Sequence, residues 1–122
     1  MKALVVDDSA VMRKVVTGAL SRAGITEVSH AGNGLEAISA ADAEEFQLVL
    51  MDWNMPQMTG IEAVRHLRAN GKKMPIVMVT TEAEKTRVLE ALKAGANNYI
   101  IKPFEPHVFV EKIRKVLDGV SE

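Results

Sequence analysis

Gln47-Leu48-Val49-Leu50-Met51-Asp52-Trp53-Asn54-Met55-Pro56-Gln57-Met58-Thr59-Gly60-Ile61-Glu62 is the stretch that decides the fold. Leu48, Val49, Leu50 and Met51 follow one another with no polar alternation, the pattern of a strand covered on both faces. Such strands belong to parallel sheets with helices packed above and below. The run stops at a carboxylate, Asp52, and Pro56 marks a loop. Thr59-Gly60-Ile61-Glu62 then matches a capping box, in which hydroxyl and carboxylate satisfy the unpaired amides of a helix start. The stretch is one strand–loop–helix unit.

The same unit recurs on either side. Short apolar runs at residues 3–6, 27–30, 47–51, 76–79 and 98–101 predict five strands, of which 27–30 has the weakest pattern. Helical spacing fills the gaps. Val11, Met12, Val15, Val16, Ala19 and Leu20 form one stripe, ended by Gly24; Phe109, Ile113, Val116, Leu117 and Val120 form another. Thr81-Glu82-Ala83-Glu84 matches a second capping box, and Asn33 with Glu36 a weaker one. Asn70-Gly71 and Gly95 read as helix stops. A strand–helix alternation repeated five times predicts an α/β fold, a five-stranded parallel sheet with helices on both faces. No linker or low-complexity tract interrupts it, so residues 1–122 read as one domain, with no residues left for a separate output domain.

Composition narrows the function classes. A formal net charge of −1 gives no general attraction to nucleic acid or to an anionic membrane. The absence of cysteine excludes disulfides and thiolate chemistry. No apolar run is long enough to span a bilayer, and the start is too short for a signal peptide, so a cytoplasmic protein is expected.

In an open parallel sheet, ligands bind at the edge where the strand carboxyl ends gather. Asp7 and Asp8 follow the first strand, Asp52 and Asn54 the third, Thr80 and Thr81 the fourth, and Lys102-Pro103 the fifth. Three carboxylates, hydroxyls and one ammonium therefore converge. Carboxylates so close repel unless protonated or held by a cation. An all-oxygen cluster suits Mg²⁺, which takes one or two carboxylates, keeps waters and borrows phosphoryl oxygens. A carboxylate can also act as a nucleophile and form an aspartyl phosphate, with Thr80 and Lys102 as donors to the phosphoryl oxygens. Asp and Thr at strand ends are common helix caps too, and Asp7-Asp8 alone would carry no more than that.

Val5-Val6-Asp7-Asp8-Ser9, Met51-Asp52-Trp53-Asn54-Met55-Pro56, Val79-Thr80-Thr81-Glu82-Ala83 and Ile101-Lys102-Pro103-Phe104 together resemble the receiver domain of two-component response regulators. The likeness runs over essentially the whole chain and is nearest to stand-alone chemotaxis receivers of the CheY type. It implies a flavodoxin-like strand order 2-1-3-4-5. It also implies Asp52 as phosphoacceptor and Mg²⁺ held by Asp8, Asp7, Asp52 and the Asn54 backbone carbonyl. Thr80 would bond the phosphoryl group and Lys102 would pair with it, across a cis Lys102-Pro103 bond. The donor would be a phosphohistidine on a sensor histidine kinase or a small acyl phosphate. Tyr99 would be an aromatic switch turning inward from solvent, and Lys85, Val88, Tyr99 and Lys112 the face read by a downstream protein effector such as a flagellar motor switch. A monomer is implied, and no turnover enzyme. Thr59 stands where many relatives carry Asp, a change that leaves a helix cap in place.

Other readings compete. A phosphate sink or relay shares every site residue. A small Mg²⁺-dependent phosphatase with an Asp nucleophile needs a general acid two residues after Asp52, where Asn54 stands. A flavodoxin-like electron carrier would meet acids where the FMN phosphate should lie. Gly32-Asn33-Gly34-Leu35-Glu36-Ala37 matches a dinucleotide fingerprint, yet a turn before a capped helix explains it better. His30, His66 and His107 have no metal-ligand spacing. For Trp53, a binding or solvent-gating role stands level with packing.

Overall fold

A computed structural model describes residues 1–119. Five strands, β1 (Lys2–Val6), β2 (Glu27–Ala31), β3 (Leu48–Met51), β4 (Ile76–Thr80) and β5 (Asn98–Ile101), alternate with five helices. The helices are α1 (Ala10–Arg22), α2 (Gly34–Ala43), α3 (Gly60–Ala69), α4 (Lys85–Ala94) and α5 (Pro106–Leu117). The strands form one parallel sheet in the order β2-β1-β3-β4-β5, the flavodoxin-like order. The strand positions match the sequence reading to within about a residue, the usual uncertainty of element ends.

Successive side chains of a strand point to opposite faces, and here both faces are covered. Leu4, Val6, Val49, Met51, Ile76 and Met78 pack under α2, α3 and α4. Ala3, Val5, Leu48, Leu50, Val77, Val79 and Ile100 pack under α1 and α5, against Val16, Leu20, Phe109, Ile113 and Val116. That two-sided burial is why the strand sequences show no alternation. No helix among the described residues is long and apolar enough to cross a membrane.

Helix ends follow local chemistry in part. Thr59 and Glu62 form the expected capping box at α3. Asn33 caps α2 through its side chain, while Glu36 accepts from the Gly32 backbone amide and the Asn33 side chain rather than from the Asn33 backbone amide, so the apparent dinucleotide fingerprint is a turn and a cap. The second capping box does not form. Glu84, not Thr81, is the N-cap of α4, and it makes no side-chain bond. Residues 81–84 instead run as a loop over the sheet edge. The α1 stripe is also narrower than expected: Val16, Ala19 and Leu20 are buried, but Val11 is 71% exposed and Val15 is exposed too. In the α5 stripe, Val120 lies outside the described residues.

At the opposite end of the sheet, Arg68 ties α3 to the entries of β4 and β5. Its guanidinium donates to the carbonyls of Lys72, Met74 and Gly95 and to Asn97 Oδ1, which also accepts from the Ile76 amide. Burial lowers the Arg68 pKa. Nothing in the sequence pattern marks Arg68 for this role.

Candidate functional site

Backbone pairing delivers the acids to one edge. The Asp7 amide donates to Ala31 O (3.1 Å), Asp52 to Val6 O (2.9 Å) and Lys102 to Thr80 O (2.9 Å). Each of these residues thus continues the ladder one step past its strand, where side chains leave the core for the sheet's carboxyl edge. The Lys102-Pro103 peptide is cis, as expected.

The Lys102 ammonium sits between two buried carboxylates, 3.0 Å from Asp7 Oδ2 and 3.6 Å from Asp52 Oδ2. The other oxygen of each is held by a backbone amide: Ser9 N–H donates to Asp7 Oδ1 at 2.9 Å and Trp53 N–H to Asp52 Oδ1 at 2.7 Å. Asp7 is 4% and Asp52 7% exposed, whereas Asp8 reaches solvent. One oxygen from each of Asp7, Asp8 and Asp52 lies within 4.8 Å of the others. A single ammonium against three carboxylates leaves excess negative charge. Burial raises the Asp52 pKa and the Asp7 charge adds to the rise; Lys102, the Thr80 hydroxyl and the Trp53 amide oppose it. These three acids are an all-oxygen donor set of the kind a hard divalent cation takes, so the residues fit Mg²⁺.

The rim is organised around Glu82, which the sequence reading did not single out. Its amide donates to Thr80 Oγ1 (3.3 Å), and its carbonyl accepts from the Tyr99 hydroxyl (2.6 Å). Its carboxylate accepts from Asn54 Nδ2 (3.0 Å), so the Asn54 side chain bridges to the loop instead of facing the acids. Arg87 lies 3.9 Å from the Glu82 carboxylate and 5.3 Å from the centre of the Trp53 ring. Trp53 is buried in the core under α3 and α4, so it packs and Arg87 covers it. Gly60 was read only as part of a cap. A Cβ there would run into the Asp52 carbonyl oxygen, so the first residue of α3 must be glycine for the loop to pass.

The expected face of Lys85, Val88, Tyr99 and Lys112 is only partly on the surface. Lys85 is exposed and Val88 half-buried. Tyr99 is 5% exposed, with its ring in the core, so the structure holds it inward rather than in solvent. Burial pushes its hydroxyl pKa up to about 12. Lys112 turns back to donate to Tyr99 O at 2.8 Å, capping an outward backbone group of the edge strand β5.

The family model of the response regulator receiver domain matches residues 3–114. The chain belongs to this family. Among relatives of this receiver domain, the chemotaxis protein CheY1 of Helicobacter pylori strain J99 is 48% identical over 120 residues, covering 96% of this chain and 97% of that protein. A CheY homolog of Campylobacter jejuni is 49% identical, with 96% and 92% covered. Among solved structures, that of Vibrio cholerae CheY4 superposes with a TM-score of 0.86 at 37% identity, covering 94% of this chain and 97% of that one. The receiver is thus CheY-like, of a kind that acts as a response regulator rather than as a turnover enzyme.

Proposed function

We propose that this receiver accepts a phosphoryl group on Asp52 and thereby changes what its surface binds. The observation that carries the reading is the Lys102 ammonium poised 3.0 Å from Asp7 and 3.6 Å from Asp52 inside a three-carboxylate cluster. Asp52 Oδ1 is committed to the Trp53 amide, which leaves Oδ2, facing Lys102, as the nucleophile. The bond from Oδ2 to phosphorus forms as the bond from phosphorus to the donor breaks, and the donor, an imidazole or a carboxylate, leaves with the electron pair. Lys102 and the Thr80 hydroxyl are placed to take the phosphoryl oxygens. Asp8, Asp7, Asp52 and the Asn54 carbonyl would hold Mg²⁺. When bound, Mg²⁺ supplies positive charge against the carboxylates and the transferring oxygens.

The donor in this reading is a phosphohistidine on a sensor kinase. The pathway is chemotaxis, the word that the names of the relatives carry. Output runs through Glu82. If Thr80 turns to the new phosphoryl group, the Glu82 amide loses its partner, and the Tyr99 bond on the same residue is disturbed. The surface of α4, β5 and α5 around Lys85, Val88, Tyr99 and Lys112 then changes for a downstream protein in the cytoplasm. The test is the rate of modification by acetyl phosphate, followed by Trp53 fluorescence with and without Mg²⁺, in the unmodified chain and in Asp8→Ala. The expected result is a Mg²⁺-dependent reaction that Asp8→Ala largely abolishes. Equal rates in the two proteins would contradict the metal assignment.

A further inference from the structure

Asp8 poses a question of support. Asp7 is held at every polar atom: its amide by Ala31 O, Oδ1 by the Ser9 amide and Oδ2 by Lys102. Among the described residues, no hydrogen bond or ion pair holds the Asp8 carboxylate, yet one of its oxygens lies within 4.8 Å of those of Asp7 and Asp52. The backbone therefore fixes where its side chain starts, through the peptide that joins Asp7 to Asp8, and no bond to the carboxylate adds to that. The oxygen of that peptide, Asp7 O, accepts from Arg13 Nη1 at 2.6 Å. Arg13 lies in the first turns of α1, half-buried, with its own amide bonded to Ser9 O. A charged donor on a carbonyl makes a stronger bond than a neutral one.

We infer that Arg13 is a positioning residue for the divalent cation: by gripping the carbonyl between the two adjacent acids, it aims Asp8 at the cluster. The inference rests on the reading of Asp7, Asp8 and Asp52 as a Mg²⁺ site. It also has a sign that separates it from a simple charge effect. A guanidinium beside a cation site repels the cation, so removing its charge alone would tighten binding. Removing its grip on the peptide would loosen binding, because groups that orient metal ligands contribute to affinity without touching the metal.

The experiment is a Mg²⁺ titration followed by Trp53 fluorescence, with calorimetry as a second readout and no phosphoryl donor present. Arg13→Met keeps an unbranched apolar stem, two atoms shorter, and removes both charge and donor. Its Mg²⁺ affinity is expected to fall about tenfold, the lower end of the loss seen when a group orienting a metal ligand is removed. Arg13→Lys keeps a charged donor and is expected to recover most of the affinity. A role confined to folding would lower the melting temperature in EDTA and leave the affinity of the folded protein unchanged. Should Arg13→Met not fold, Arg13→Gln replaces it, and the expectation becomes weaker binding in the Gln than in the Lys variant. A folded Met variant that binds Mg²⁺ as tightly as the unmodified chain, or more tightly, overturns the inference. So does a Lys variant as weak as the Met or Gln variant. An unmodified chain that takes no Mg²⁺ overturns the metal reading itself, and this inference with it.

Discussion

Replacing Asp52 by asparagine removes one charge from the cluster and little else. The substituted amide would still offer its oxygen to the Trp53 N–H; its NH₂ would stand where Oδ2 does, near the Thr80 hydroxyl, which can accept, and the Lys102 ammonium would be left to Asp7. With an effective dielectric of about 20, a carboxylate pair within 4.8 Å repels by at least about 3.5 kcal/mol, while the Lys102 ammonium at 3.6 Å attracts by about 4.6 kcal/mol. Asp8 is exposed and adds only about 1 kcal/mol more repulsion. Attraction and repulsion at Asp52 therefore nearly cancel, and burial of the carboxylate decides the sign. Metal-free Asp52→Asn should be more stable than the unmodified chain at pH 7, by on the order of 1–2 kcal/mol. In a chain of this size, that raises the melting temperature by about 4–8 °C. The pH dependence follows from the raised Asp52 pKa. Ionising Asp52 costs more in the folded chain than in the unfolded one, so the gain is complete above the folded pKa. It shrinks as the pH falls through that value and is gone below the ordinary carboxylate value of 3.8, where both states are protonated. The assay is thermal or urea unfolding in EDTA at several pH values. A variant less stable than the unmodified chain at pH 7, or a gain that does not shrink towards acid, would refute this electrostatic account.

Three further substitutions probe the surroundings of Asp52. Lys102→Met leaves Asp7 and Asp52 buried without their counter-ion and should cost about 3–5 kcal/mol in EDTA, partly restored by Mg²⁺, as urea unfolding with and without the metal will show. Tyr99→Phe leaves the Glu82 carbonyl without its donor and should cost about 1 kcal/mol, with faster amide exchange in the loop at residues 81–84. Gly60→Ala places a methyl group against the Asp52 carbonyl; a loss of about 1–3 kcal/mol by urea unfolding and slower modification by acetyl phosphate are expected.

The framework was legible because it is written in local pattern. Leu48–Met51 could be read as a two-sided strand from its unbroken apolar run, and Thr59 with Glu62 as a helix start from spacing alone. The acids were legible because they follow strand ends, and parallel topology sends all strand ends to one edge. Local pattern failed where tertiary contacts compete. Thr81-Glu82-Ala83-Glu84 has capping-box spacing, but Glu82 is drawn to Thr80, Tyr99 and Asn54, and α4 starts only at Lys85. Val11 and Val15 fit a helical stripe by period, yet α1 packs on the sheet and α5 through Val16, Ala19 and Leu20. The grip of Arg13 on Asp7, the staple at Arg68 and the cover of Arg87 over Trp53 join residues whose spacing carries no signal. Each is a long polar side chain that satisfies backbone groups or covers a ring only once the chain has folded.

The most direct test of the central claim is to find which residue carries the phosphoryl group. The protein is incubated with acetyl phosphate and Mg²⁺, the acyl phosphate is trapped by borohydride reduction, and the site is mapped by peptide mass spectrometry. The account predicts one phosphoryl group per chain in the intact mass, reduction at Asp52 alone, and no modification of Asp52→Asn. Trapping at Asp7, Asp8 or any other carboxylate, or modification of Asp52→Asn to the same extent, would contradict it.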